Sequence, residues 1–143
     1  MPDKASILIV DDEIGSRESL RLVLEPHYKV HSVADGREAI RLIKNENIDL
    51  VTLELRIPGL SGIEVLKEIR KVKADMEVII ISRYLTLGNM REAASYGAVA
   101  FVHKPFNGTE VLEIVFESMA ERRYKQKIKR IIQQIKDGYY KRQ

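Results

Sequence analysis

Five side chains able to do chemistry sit at or just past the ends of short apolar runs. Asp11 and Asp12 follow Ile7-Leu-Ile-Val10, and Glu54 closes a run that starts at Leu50. Ser82 ends Glu77-Val-Ile-Ile-Ile-Ser82, and Lys104 follows Val99-Ala-Phe-Val-His103. A carboxylate at the end of a buried strand is costly unless it has partners. Three carboxylates, a hydroxyl and an amine at one sheet edge supply those partners to each other. Asp11, Asp12 and Glu54 offer oxygen ligands of the kind Mg²⁺ takes. Lys104 can balance the anions and hold a phosphate oxygen, and Ser82 can donate a hydrogen bond to it. The set predicts a site for a hard cation and a phosphoryl group.

The elements that would position these residues alternate along the chain. Strands are expected at 7–10, 28–33, 50–55, 77–82 and 99–103. Each is short and apolar or β-branched. Between them, helical spacing appears in Ile14, Leu20, Val23 and Leu24 before Pro26, and in Ala39, Ile40, Leu42 and Ile43. It recurs in Ile63, Val65, Leu66 and Ile69, and in Met90, Ala93 and Ala94 before Gly97. Asn107 is a candidate N-cap for a last helix through Val111, Leu112 and Val115. Five βα units in succession predict an α/β fold: a doubly wound five-stranded parallel sheet with helices on both faces. Pro105 can fix the backbone after Lys104, and a cis bond would do so.

The 143 residues suit one domain. The absence of cysteine excludes disulfides and thiol chemistry. With neither an apolar run of about 20 residues nor the apolar core of a signal peptide, the expected location is the cytoplasm and no membrane partner is expected. The formal charge of +3 hides two unlike parts. Residues 1–119 hold 15 Lys/Arg and 19 Asp/Glu, a net of −4, whereas residues 120–143 hold 9 and 2, a net of +7.

The motifs Val10-Asp11-Asp12-Glu13, Asp49-Leu-Val with Pro58-Gly59 and Gly62, Ser82, Gly97-Ala98 and Phe101-Val-His-Lys104-Pro-Phe together resemble the receiver domain of bacterial two-component response regulators. The resemblance covers residues 5–120. It implies the flavodoxin-like receiver fold with strand order 2-1-3-4-5. It also implies Mg²⁺ held by Asp11, Asp12, residue 54 and the backbone carbonyl of Arg56. By the same resemblance Ser82 and Phe101 are switch positions, Lys104 is the site lysine and residue 54 is the phosphoacceptor. Arg56, Arg83 and Tyr84 flank the site mouth. The implied partners are a sensor histidine kinase or phosphotransfer protein, if the native residue at 54 is Asp, and a downstream output domain or protein.

This chain departs from the family in two places. Glu54 stands where the family has Asp, and Arg83 where it usually has a small residue. The extra methylene moves the carboxylate roughly 1 Å, a displacement that can cost on the order of 10²-fold in a reaction governed by positioning. Glu54 therefore indicates a pseudo-receiver that signals without phosphorylation, or an engineered mimic of the phosphorylated state. Arg83 either pairs with Glu54 or points to solvent. The chain is expected not to be an enzyme. A haloacid-dehalogenase-like phosphatase would need a second acid two residues after the nucleophile, where this chain has Arg56. A purely structural dimerisation domain with a vestigial site would not need Asp11, Asp12, Ser82 and Lys104. His27, His31 and His103 have no metal-ligand spacing.

Beyond the receiver-like residues 1–120, residues 121–143 read as a basic helical extension or linker. One helix is expected over 107–136, with Tyr124, Ile128, Ile131 and Ile135 in a 4-3-4 stripe and Ile132 beside it. At about 1.5 Å per residue, Ile135 lies roughly 30 Å beyond Val115, too far to pack on the sheet. A homodimer with the stripes facing is the simplest way to cover them. Nothing resembles a complete helix-turn-helix, so nucleic acid is not an expected partner.

Overall fold

In the computed structural model, residues 4–141 are described. Their elements run β1 (Ser6–Val10), α1 (Ile14–Leu24), β2 (Lys29–Val33), α2 (Gly36–Asn45), β3 (Leu50–Leu53), α3 (Gly62–Val72), β4 (Glu77–Ser82), α4 (Leu87–Ser95), β5 (Ala98–His103) and α5 (Gly108–Lys141). The strands form one parallel sheet in the order β2-β1-β3-β4-β5. The alternating pattern predicts the doubly wound parallel sheet, and the flavodoxin-like strand order is the one the resemblance implies.

Strand periodicity divides the core in two. Leu8, Val10, Val51, Leu53, Val78 and Ile80 face α2, α3 and α4, where Ile43, Leu66, Ile69 and Ala93 cover them. Ile7, Ile9, Leu50, Ile79 and Ile81 face α1 and α5, against Leu20, Leu24, Val111 and Val115. Because β1, β3 and β4 are buried on both faces, their sequences read as continuous apolar runs rather than alternating ones.

Several boundaries and faces differ from the sequence reading. The third strand ends at Leu53, so Glu54 is the first residue beyond it. Ile14 starts α1 but points outward and is exposed, because the buried stripe of α1 is set by Leu20 and Leu24. Of the apolar residues of α4 only Ala93 is fully buried. Gly138 does not stop α5, which continues through Lys141.

Local chemistry fixes the helix starts. Asp35, Ser61 and Thr86 each accept a hydrogen bond from the backbone N–H three residues on, and Thr86 with Asn89 closes a reciprocal capping box. Asn107 Oδ1 accepts from the N–H groups of Thr109 and Glu110, as its candidate cap role required. Gly62 opens α3 against the end of β3. A Cβ there would lie 2.5 Å from the Glu54 carbonyl oxygen and 2.6 Å from Leu55 Cα, so only glycine lets α3 approach the residue that carries the site.

Candidate functional site

Asp11, Glu54 and Lys104 sit one step past the sheet ladder, and Ser82 is the last residue of β4. The ladder's hydrogen bonds nevertheless continue through the backbones of the first three. The Asp11 N–H donates to Val33 O at 3.1 Å, Glu54 N–H to Val10 O at 3.0 Å, and Lys104 N–H to Ser82 O at 3.1 Å. Each side chain therefore leaves a backbone position set by the sheet. β1 and β3 are neighbours, with Val10 opposite Leu53, so Asp11 and Glu54 emerge side by side. Chain crossovers leave toward opposite faces here, at the crevice where open α/β sheets bind ligands.

Lys104 joins the two carboxylates. Its Nζ donates to Asp11 Oδ2 at 2.6 Å and to Glu54 Oε1 at 3.0 Å, with all three side chains at most 2% exposed. Glu54 Oε2 accepts from the Leu55 N–H at 2.7 Å and weakly from Arg56 N–H at 3.5 Å. Asp11 Oδ1 accepts from Glu13 N–H at 2.9 Å, and the Asp11 carbonyl is held by Arg17 at 2.9 Å. The Lys104–Pro105 bond is cis.

Burial pushes the Asp11 carboxyl above its usual range. The hydrogen bonds from Lys104 and from the Glu13 backbone oppose this, and the Glu54 charge adds to it. For Lys104 burial favours the neutral amine, but the hydrogen bonds and charges of Asp11 and Glu54 outweigh it. The ammonium is held above its ordinary value. The pair is thus a protonated lysine between two acids, one of which resists ionisation.

A third acid completes the constellation. Among the described residues, Asp11, Glu13 and Glu54 form the one group whose ligand oxygens all lie within 4.8 Å of one another. Their hard, anionic oxygens fit a divalent cation such as Mg²⁺. Asp12, the other half of the acidic pair, is exposed and lies outside this group. Glu13, likewise exposed, lies in that group, a placement the sequence reading did not give it. Its presence in the acidic run after the first strand was the available signal. Lys104 also approaches Glu13, at 3.9 Å.

The remaining residues frame the mouth. Ser82 is fully buried, and its Oγ accepts from the Tyr84 N–H at 3.0 Å, which ties the β4–α4 loop to the end of β4. Arg56 stacks over the Tyr84 ring at 3.8 Å, bridging the loops after β3 and β4. Arg83 neither joins Glu54 nor lies free in solvent. Its guanidinium is 3.8 Å from Glu13 Oε2 in a half-exposed pair. Phe101 is partly buried against the core on the α3 and α4 side. His31 is half-buried and His27 and His103 are exposed, and none belongs to the acidic group.

Known proteins share this family and fold. The model of the response regulator receiver domain matches residues 7–116. Sporulation initiation phosphotransferase F of Bacillus subtilis (strain 168) is 36% identical over 110 residues, which are 76% of this chain and 89% of that protein. Chemotaxis protein CheY of Thermotoga maritima is 34% identical over 109 residues, 75% of this chain and 91% of that protein. The match to the hydrogenase transcriptional regulatory protein HoxA of Cupriavidus necator is 31% identical over 124 residues, 83% of this chain but 25% of that longer protein. A solved receiver domain protein from Methanospirillum hungatei JF-1 superposes with a TM-score of 0.83 at 30% identity, over 86% of this chain and 99% of that one.

Proposed function

The chain belongs to the response regulator receiver domain family, and from that premise we propose that it is a two-component signalling module in which Glu54 serves as a fixed charge rather than as a turnover nucleophile. The supporting observation is that Glu54 is drawn into a buried ion pair with Lys104. Oε1 accepts from Lys104 and Oε2 from the Leu55 N–H. A reaction governed by positioning is slowed when its nucleophile is displaced by roughly 1 Å, as the extra methylene of Glu54 displaces the carboxylate. Glu54 instead completes a buried cluster in which Lys104 bridges two acids. Whether natural or introduced, a glutamate at this position has the same consequence: the site carries charge without accepting phosphate, and the module signals rather than turning over substrate. Arg56, stacked on Tyr84, supplies no second acid for phosphatase chemistry.

Asp11, Asp12, Glu13 and Glu54, with the Arg56 backbone carbonyl, offer the oxygens that would hold Mg²⁺, which would supply positive charge to balance the acidic edge. Ser82 and Phe101 link that edge to the surface of α4, β5 and α5. The partners are a sensor histidine kinase or phosphotransfer protein for a form with Asp at position 54, and an output domain or protein reached through α5. The receiver comprises residues 1–120 and the basic extension residues 121–143, in the cytoplasm. Tyr124, Ile131, Ile132 and Ile135 are exposed on α5, and a homodimer with these stripes facing covers them.

Incubation with radiolabelled acetyl phosphate and Mg²⁺ tests the central reading. The chain as it stands is expected to take up negligible label, and Glu54→Asp to take it up. Stoichiometric, hydroxylamine-labile phosphate on the unaltered chain would refute the fixed-charge role.

A further inference from the structure

Three cationic side chains reach the acidic turn that follows β1, and two of them are anchored. Lys104 is buried, with Nζ hydrogen-bonded to Asp11 and Glu54 at 2.6 and 3.0 Å. Arg17 donates to the Asp11 carbonyl at 2.9 Å. The third is loose. Arg83 stands at the mouth, on the loop between β4 and α4, with Nη2 3.8 Å from Glu13 Oε2. That distance is longer than a hydrogen bond, and the two side chains are 52% and 46% exposed.

Glu13 is the acid on which two of these cations converge. Its Oε1 lies 3.9 Å from Lys104 Nζ and its Oε2 3.8 Å from Arg83. It also belongs to the group of acids whose oxygens lie within 4.8 Å of one another and suit a divalent cation. The single negative charge of Glu13 is thus already shared between two positive groups. A divalent cation entering beside it adds two more positive charges at the same place. Like charges at such distances repel, so the resident cation that can move withdraws. Lys104 is held by its buried hydrogen bonds. Arg83 can swing into solvent for the loss of one half-exposed ion pair, which is small. A side chain ending at Cβ at position 83 would not reach Glu13 and would offer no such opposition.

We propose that Arg83 is an internal competitor for the divalent cation: its guanidinium and the metal oppose each other at Glu13, so residue 83 sets the affinity of the site. Binding of the cation then frees Arg83 from Glu13 and releases a tie between the loops after β1 and β4. Tyr84, next in sequence, keeps its N–H bond to Ser82 Oγ and its ring under Arg56, so the release is confined to the Arg83 side chain. The inference rests on the Mg²⁺ reading of the acidic group and is independent of the fixed-charge role given to Glu54.

The test titrates the full chain with magnesium chloride at pH 7 and fixed ionic strength, following the amide signals of residues 11–13 and 54–56 by NMR. Half-saturation is compared in the unaltered chain, Arg83→Ala, Arg83→Lys, Glu13→Gln and the double variant of Arg83→Ala with Glu13→Gln. Arg83→Ala is expected to lower the half-saturating concentration about two- to fivefold, the size of one half-exposed ion pair. Arg83→Lys keeps the charge and should stay closer to the unaltered chain. In the Glu13→Gln background, removing Arg83 should lose most of its effect, because the group contended for is gone. Residue 83 is exposed, so its variants are expected to melt with the parent in the absence of metal. An unchanged half-saturation in Arg83→Ala would overturn the proposal, as would an effect of full size in the Glu13→Gln background. Either result leaves the metal site standing, whereas no saturable shift in any of the five proteins would overturn the Mg²⁺ reading together with the proposal.

Discussion

Replacing Lys104 by methionine removes the only cation from a buried set of acids while keeping most of the side-chain volume. Lys104 Nζ lies 2.6 Å from Asp11 Oδ2 and 3.0 Å from Glu54 Oε1. Without it, Asp11 and Glu54 remain with oxygens within 4.8 Å of each other. At an effective dielectric constant of about 20, two unit charges at that separation repel by about 3.5 kcal/mol. That agrees with the roughly 3–5 kcal/mol lost when one partner of a buried pair is deleted. For a domain of this size, about 3–5 °C of Tm accompanies each kcal/mol, so a fall of about 10–18 °C is expected at pH 7. Urea and thermal unfolding of four proteins would measure it: the unaltered chain, Lys104→Met, Glu54→Gln, and the double variant. Neutralising Glu54 in the Lys104→Met background should recover at least about half of the loss, because the two sites are in contact and their effects are not additive. A Lys104→Met protein within about 1 kcal/mol of its parent, or a double variant whose loss equals the sum of the singles, would refute the view that Lys104 neutralises this edge.

The Asp11 carboxyl, raised from 3.8 by burial, binds its proton more tightly folded than unfolded. Its favourable contribution is therefore complete below that value and is lost as pH rises through the raised one. Unfolding free energies relative to Asp11→Asn should accordingly fall as pH climbs above 4, and a difference that grows with pH would contradict this. Millimolar Mg²⁺ should raise the melting temperature through the acids at positions 11, 13 and 54, and EDTA should reverse the rise; Glu13→Gln should shrink the response, whereas an equal shift in that variant would place the metal elsewhere. Gly62→Ala forces a methyl to within 2.6 Å of backbone at the Glu54 turn and should cost about 1–3 kcal/mol in urea unfolding, with no loss if α3 can retreat freely. In sedimentation at concentrations on the order of 10 µM, the full chain should run heavier than a monomer and a chain ending at Glu121 as a monomer; two monomers would leave the α5 stripe without a second copy.

The fold was legible because its strands are buried on both faces, so each appears as a short apolar block between helical patterns. The site was legible to the extent that sheet edges collect strand ends. What failed was resolution of one residue or one face. Asp11, Asp12 and Glu13 are consecutive in a turn, and composition does not say which carboxylate turns inward. The Asp11 side chain is drawn in by Lys104, whereas Asp12 and Glu13 stay exposed, with the Glu13 N–H bound to Asp11 Oδ1. Arg83 was weighed against Glu54 or solvent. Its partner is Glu13, brought near by a contact more than 60 residues apart in sequence, which no local pattern encodes. Ile14 stands six residues before Leu20, about 120° away round a helix of 3.6 residues per turn, so it falls off the buried stripe that Leu20 and Leu24 share.

The length of α5 follows from how it begins. Its first half is nucleated by the Asn107 cap and held by Val111, Val115 and Met119 in the core. Past Lys125, whose contact with Glu77 fastens the helix to the sheet, the side chains lie mostly in solvent. An isolated stretch of that size is only marginally helical, because nucleation is costly. Here nucleation has already occurred, and each further residue adds only a propagation step. The charge at its start supports this direction of growth. Glu110 lies in the first turn of α5, where the helix dipole favours an acid. Gln133 adds a hydrogen bond to Asp137 at 2.9 Å. A helix that persists for these reasons keeps its face fixed relative to the sheet, because Arg122 and Lys125 fasten one side of it to Asp49 and Glu77. Tyr124, Ile131 and Ile135 are left on the far side, turned away from their own domain. The clamp that orients α5 is therefore also what prevents the stripe from folding back, and it leaves a second surface as the means of covering it.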